Sequence, residues 1–206
     1  GNVGIANAEV KNVFHNPAFA GLRESHQEVS YVEWLPNLTD DMGYQSILVT
    51  SNMGWSSEIF YFNYGTQVQA DQYGVVLGDF ESSSYRVSGG YGFGFNDWLV
   101  GARLNLYSHN FIDDYSIDMN YGFDLGAYKE FGNTSLGLVL KDVGGETKFL
   151  DQKLNLPMSV GIGVGHKFGN FTLASDVKLY EDYNSIGLGG QYDLGIASLK
   201  LGYYTE

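Results

Sequence analysis

The chain has 206 residues, a formal net charge of −13 and no cysteine, which excludes a disulfide framework or a Cys-ligated metal and, with no basic stripe in sight, argues against nucleic acid as a partner. Charged residues are 17%, below the ~25% of an ordinary soluble domain, while 28 glycines and 16% aromatics suit a sheet-rich protein with aromatic belts. No run approaches the ~18 consecutive apolar residues of a transmembrane helix, a limit that does not apply to barrel strands, whose lipid-facing residues occupy every second position.

Residues 1–25 read differently from the rest. Gly1-Asn2-Val3-Gly4 lacks the basic and apolar segments of a signal peptide, so a mature or trimmed form is expected. Ile5, Ala8, Val13 and Phe14 show no period of two, and Asn16-Pro17-Ala18 opens a turn-rich knot. Pro17 should end any short helix over residues 5–14. This segment is expected to tuck against or inside a barrel.

From residue 26 an up-and-down rhythm of strands follows. The first covers about Glu28–Leu35, and a loop over Pro36–Met42 leads to Gly43–Ser51. Asn52-Met53-Gly54 turns into Ser57–Tyr64, and Gly65–Phe80 carries its own turn at Asp71–Gly74, extending the hairpin beyond the membrane. Tyr85, Val87, Tyr91, Phe93 and Phe95 then alternate with Arg86, Ser88, Gly90, Gly92 and Gly94. Asn96-Asp97 is a two-residue turn. Trp98, Val100, Ala102, Leu104 and Leu106 face away from Gly101, Arg103 and Asn105. After a Ser108–Ser116 loop, Tyr121, Phe123, Leu125 and Ala127 oppose Gly122, Asp124 and Gly126. Gly132-Asn133 leads to Leu136, Leu138 and Leu140, and a long loop spans Asp142–Leu156.

The clearest hairpin comes next. Met158, Val160, Ile162, Val164, His166 and Phe168 alternate with Ser159, Gly161, Gly163, Gly165 and Lys167, Gly169-Asn170 turns, and Phe171, Leu173, Val177 and Leu179 alternate with Thr172, Ala174, Asp176 and Lys178. A soluble sheet would crowd its polar face with Lys, Glu and Asp. Here that face is mostly Gly, Ser and Thr, which suits a confined lumen and leaves the aliphatic and aromatic face to lipid. A soluble β-sandwich with the apolar face inward would show the same alternation. Two further strands contain Ile186, Leu188 and Tyr192, then Leu199, Leu201 and Tyr203.

The fold class is therefore all-β, an antiparallel up-and-down transmembrane barrel over residues 26–206 with an N-terminal hatch, about eleven strands in this chain. Bacterial barrels close with an even number, so the closing strands are expected to be missing. Short turns follow the even strands and most long loops the odd ones, the asymmetry of periplasmic and external ends in outer-membrane barrels.

Several stretches together resemble the PorV/PorQ family of FadL-like outer-membrane barrels, the PorQ branch more closely. They are His15-Asn16-Pro17-Ala18, Val29-Ser30-Tyr31, Asn63-Tyr64-Gly65, Gly78-Asp79-Phe80 with Ser84-Tyr85, Phe123-Asp124-Leu125-Gly126, and the run Ser135–Gly144. Leu156-Pro157 before a Gly-alternating strand and the closing Leu201-Gly202-Tyr203 complete the set. The resemblance implies a barrel of about fourteen strands with a luminal hatch, and a place in type IX secretion and cell-surface attachment. It implies outer-membrane lipid and lipopolysaccharide, with other secretion or envelope proteins, as partners.

Inward charges Arg86, Arg103, Asp124, Asp176, Lys178 and Lys200 should pair with one another or with the hatch, because an unpaired charge in a narrow lumen is costly. Asn16, Pro17 and Ala18 form the hatch motif, and Ile5, Val13, Phe14 and Phe19 could line a site for a hydrophobic molecule or pack the hatch. Trp34, Trp55, Trp98, Tyr121 and Tyr203 are expected at the membrane interfaces. His15, His26, His109 and His166 are scattered and no Gly-x-Ser-x-Gly is present, so no catalytic activity is expected. No cofactor or metal is expected; paired carboxylates such as Asp113-Asp114 are the residues a divalent cation would find, without EF-hand spacing. The expected function is a binding or scaffold component of secretion and surface attachment. The alternatives are a transporter of hydrophobic small molecules and a structural protein of a larger envelope complex.

Overall fold

The computed structural model describes residues 3–34, 41–112, 115–149 and 152–205. The strands are β1 (His26–Glu33), β2 (Gly43–Thr50), β3 (Trp55–Ala70), β4 (Val76–Phe95), β5 (Trp98–Ile112), β6 (Tyr115–Phe131) and β7 (Thr134–Val143), then β8 (Glu146–Phe149), β9 (Gln152–Asn155), β10 (Ser159–Phe168), β11 (Phe171–Tyr180), β12 (Asn184–Asp193) and β13 (Ser198–Thr205). All but β8 and β9 form one 11-stranded sheet in chain order, and every neighbouring pair is antiparallel. An antiparallel meander of odd strand number leaves its first and last strands, β1 and β13, running in the same direction. Among the described residues those two strands do not pair with each other. No described helix is long and apolar enough to cross a membrane, which says nothing of strands.

The two faces are as the alternation requires. Val160, Ile162 and Val164 stand outward, 41%, 45% and 47% exposed, while Gly161, Gly163 and Gly165 are buried. The pairing of Val164 with Ser175 and of Gly163 with Asp176 keeps the two faces in register across the hairpin. Asn96 and Asp97 both take positive φ (46° and 64°), the backbone of a tight turn whose twist matches the flanking strands.

Three segments differ from the sequence reading. Within residues 5–14 the only described helical piece is a 3-10 turn at Val10–Asn12, which ends ahead of Pro17, and a second 3-10 helix, Pro17–Leu22, which the sequence did not announce, begins at the proline. Proline lacks an N–H that the first helical position would leave unbonded anyway. The Ser108–Ser116 loop is mostly strand, since β5 runs to Ile112 and β6 starts at Tyr115. The Asp142–Leu156 loop holds the β8–β9 hairpin, whose strands of four residues each are too short to announce themselves by alternation.

Residues 3–25 lie on the inner face. Val13 packs with Leu48 of β2, Lys200 of β13 reaches Glu9, and the Pro17–Leu22 helix lies against β4, β5 and β6. Both ends of the sheet thus touch one segment, and the sheet curves around it.

Candidate functional site: the hatch and its glycine seat

The N-terminal segment, here called the hatch, is held first by Asn16. Its Oδ1 accepts the Ala18 N–H at 3.0 Å and caps the Pro17–Leu22 helix. Its Nδ2 donates to the Ile5 carbonyl (3.0 Å) and to the Ala127 carbonyl of β6 (3.1 Å). One fully buried amide therefore ties two stretches of the hatch to each other and to the wall. Pro17 and Ala18 are buried beside it, and the helix ends where Arg23 turns left-handed, at φ 57°.

The wall opposite is glycine. Gly92 pairs with Gly101 and Gly101 with Gly126, while Gly137 pairs with Gly163. A Cβ at Gly92 would overlap the Gly21 nitrogen, at Gly101 the Pro17 carbonyl, at Gly126 the Asn16 side chain, and at Gly137 the Ile5 carbonyl. The hatch backbone rests directly on the strand backbone, an approach any larger residue would block. The sequence marks these glycines as small and inward. It does not show that they form a seat, which depends on register across five strands.

Polar side chains close the contact. Asp176, fully buried, accepts the Gly4 and Ile5 N–H groups through Oδ2 at 2.7 and 3.0 Å. Ser135 Oγ donates to the Ala6 carbonyl (2.8 Å) and Lys141 Nζ to the Phe14 carbonyl (2.9 Å). Toward β12 and β13, Glu9 takes Gln191 Nε2 at 3.0 Å, Lys200 Nζ at 3.3 Å and Lys11 Nζ at 2.7 Å. Where residues Ala6–Glu9 stand off from the short turns, a cavity of about 400 Å³ remains, walled by groups such as Thr134, His166 and Gln191.

A second polar layer crosses the strands under the other side of the hatch. Glu58 Oε2 accepts Arg86 at 3.0 Å and Arg103 at 2.5 Å. Arg103 also donates to Asn105 Oδ1 (2.8 Å) and Ser88 Oγ (3.1 Å), and Asn105 Nδ2 donates to Asp124 Oδ2 (2.9 Å). Asp124 Oδ1 accepts the Asp142 N–H at 2.9 Å, and Tyr107 Oη donates to Asp142.

Of the six inward charges read from the sequence, Arg86, Arg103 and Asp124 therefore meet in this layer. Asp176 sits at the hatch N-terminal stretch with the buried Lys178 two residues on, and Lys200 lies apart on the edge strand. The charge that joins the first group, Glu58, escaped sequence reading, as did the roles of Lys141, Asp142 and Glu9, while Asn105 was placed on the inner face without a partner.

The sequence matches no protein-family model and no curated protein. The site's chemistry accordingly rests on its own geometry. Ile5, Val13 and Phe19 are buried in packing: Val13 against Ala20 and Leu48, Phe19 edge-on to Tyr128 with ring centroids 5.2 Å apart. Phe14 is half-buried beside the His15 ring at 4.3 Å. Trp34, Trp55, Tyr121 and Tyr203 are exposed, and Trp98 is half-buried with Lys129 Nζ 5.6 Å from its ring centre. Asp113 and Asp114 lie outside the described residues, and among those described no group of three or more His, Cys, Asp or Glu side chains could hold a metal ion. Ser84 Oγ is 2.6 Å from His109 Nδ1 and 3.0 Å from Tyr64 Oη, a hydrogen-bonded cluster on the inner face of β3–β5.

Proposed function

We propose that the chain is an outer-membrane β-barrel without catalytic activity, plugged by its own N-terminus, that serves as a binding or scaffold component in protein secretion and cell-surface attachment. The membrane part of this reading is supported by an outward face of Val, Leu, Ile and aromatic side chains around an inward face of Gly, Ser and paired charges. In lipid an unpaired strand edge leaves backbone polar groups unsatisfied, at several kcal/mol each. Because β1 and β13 run the same way, antiparallel closure takes an odd number of additional strands between them, which accommodates the FadL-like total of about fourteen.

The observation that carries the choice of scaffold over transporter is the seat. The hatch lies backbone on backbone against glycines and is fastened by Asn16, Asp176, Ser135 and Lys141. A plug so fixed favours a surface that binds over a lumen that conducts. The PorV/PorQ resemblance supplies the process, type IX secretion, and the partners, secretion and envelope proteins with outer-membrane lipid.

Three measurements test the reading. Membrane fractionation should place the protein with outer-membrane markers, its folded form resisting SDS until heated. Planar-bilayer recordings of the intact protein should show no steady conductance, and loss of the protein should leave secreted cargo unattached to the cell surface. Uptake of hydrophobic solutes that depends on the chain, with attachment unaffected, would replace the scaffold by the transporter.

A further inference from the structure

Beyond the barrel, β3 and β4 continue as a free two-stranded ribbon. Their pairing runs from Thr66 with Glu81 to Ala70 with Val76, whereas the β2 partner of β3 ends at Asn63 and the β5 partner of β4 begins at Ser83. Among the described residues the ribbon therefore pairs only with itself. A lone two-stranded ribbon is marginal in water unless something covers it.

Its two edges are not alike. The β4 edge carries Asp79 and Glu81 and a bulge opposite Gln69–Ala70, devices that discourage strand addition. The β3 edge, Thr66-Gln67-Val68-Gln69-Ala70, has no charge, no proline and no bulged residue. Which of its groups point outward follows from two hydrogen bonds. Thr66 N–H is taken by Asp41 at the outer edge (3.0 Å), and Asp71 N–H by Val75 across the ribbon (2.9 Å). By the two-residue period Val68 and Ala70 share the orientation of Thr66 and offer their N–H and C=O groups away from β4.

Among the described residues the ribbon also lacks an apolar cover. Val68 (63%), Tyr73 (82%) and Val76 (63%) are exposed, with Val75 and Leu77 beside them. Asp71, Asp79 and Glu81 are the charged groups between Thr66 and Glu81, with no Lys, Arg or His among them. Asp71 is spent on the turn, its Oδ1 accepting the Tyr73 and Val75 N–H groups.

We propose that the outer edge of β3 between Thr66 and Ala70 is a docking site for a basic β-strand of a protein partner, added by main-chain pairing to Val68 and Ala70. Backbone bonds would supply register, the exposed valines apolar contact, and Asp79 and Glu81 the preference for a basic strand. The side of the membrane from which the partner arrives rests on the orientation proposed above; the edge itself does not.

The test uses the full chain in lipid nanodiscs, with insertion first checked by SDS resistance so that failure of the membrane reading is seen separately. The probes are a synthetic peptide alternating Val and Lys and its Val–Glu counterpart, followed by fluorescence anisotropy and amide exchange. The basic peptide should bind at least about tenfold more tightly than the acidic one, lose affinity with salt, and protect the Val68 and Ala70 amides. Val68→Pro, which removes an outward N–H not used inside the ribbon, should abolish binding. Asp79→Lys with Glu81→Lys should reverse the preference between peptides. Equal binding of both peptides, no binding, Val68 and Ala70 amides already protected in the free chain, or a ribbon that inserts into lipid or pairs with a second copy of the chain would each overturn the proposal.

Discussion

Two of the inward ion pairs contrast most in their neighbours, one lying between strands and the other at the edge of the sheet. In the middle, Arg103 and Glu58 form an ion pair whose side chains are 4% and 8% exposed, flanked by Ser88, Asn105 and Asp124 from adjoining strands. At the edge, Lys200 and Glu9 form a longer pair, 42% and 25% exposed, because β13 has no described strand beyond it. Each pair joins a basic side chain to a glutamate, an arginine in the middle and a lysine at the edge. The larger difference is desolvation, and with it the consequence of removing one partner.

The largest effect should follow Glu58→Ala. Arg103 would be left buried and unpaired, with Arg86 also losing its partner, a loss of about 3–5 kcal/mol. Unfolding by denaturant in lipid vesicles reads this directly. A change below about 1 kcal/mol would mean that water reaches the layer and that the middle of the sheet is no drier than its edge.

Next comes the seat. Gly137→Ala puts a methyl group into the Ile5 carbonyl, and Gly101→Ala puts one into that of Pro17. Overpacking of this kind should cost about 1–3 kcal/mol, and the cheapest relief is to lift the hatch. Both variants should expose the hatch to protease added from the turn side while the sheet stays SDS-resistant. Gly132→Ala or Gly169→Ala would strain a positive-φ turn without meeting the hatch, and should leave its protease resistance unchanged.

Acid probes the same contact through His15. Burial pushes its pKa down to about 3, and the positive charges of Lys141, Lys178 and Arg103 add to the effect. The docked hatch holds His15 neutral, whereas a released hatch would protonate it near 6.5. Protonation therefore favours release. Docking is at full strength above about pH 6.5 and weakens toward pH 3, by at most about 1.4 kcal/mol per pH unit. Protease release of the hatch should rise through that window, and His15→Asn should flatten the part of the profile that the imidazole supplies.

Sequence reading reached the faces, the tight turns and the eleven strands of the large sheet, though not the short β8–β9 hairpin, because a period of two is a local property. Val160, Ile162 and Val164 against Gly161, Gly163 and Gly165 need no tertiary information, nor does the Asn96-Asp97 turn. Glu58 was not legible for the opposite reason. It lies in a strand where Trp55, Phe60, Tyr61 and Phe62 blur the alternation, and its meaning comes from Arg86 and Arg103, 28 and 45 residues away. The hatch motif was found as Asn16-Pro17-Ala18 and read as an anchoring turn, whereas it opens a short helix. The distinction rests on Asn16 Oδ1 reaching the Ala18 N–H, a cap that composition does not announce.

The smallest expected effect is at the edge, and it separates the bare sheet from a completed barrel. Lys200→Ala removes one of two cations beside Glu9, and Lys11 Nζ remains 2.7 Å away. In the isolated chain an exposed pair of this kind contributes about 0–1 kcal/mol, screened further by salt. Antiparallel strands placed between β13 and β1 would cover Lys200 and Glu9 and cut their access to water. The same substitution should then cost more and lose its salt dependence, moving toward the behaviour of Arg103. On the outer-membrane reading proposed above, measuring Lys200→Ala in the isolated chain and in native outer membranes reports whether the edge is closed. An equal, salt-sensitive effect in both would leave β1 and β13 as open edges in the cell.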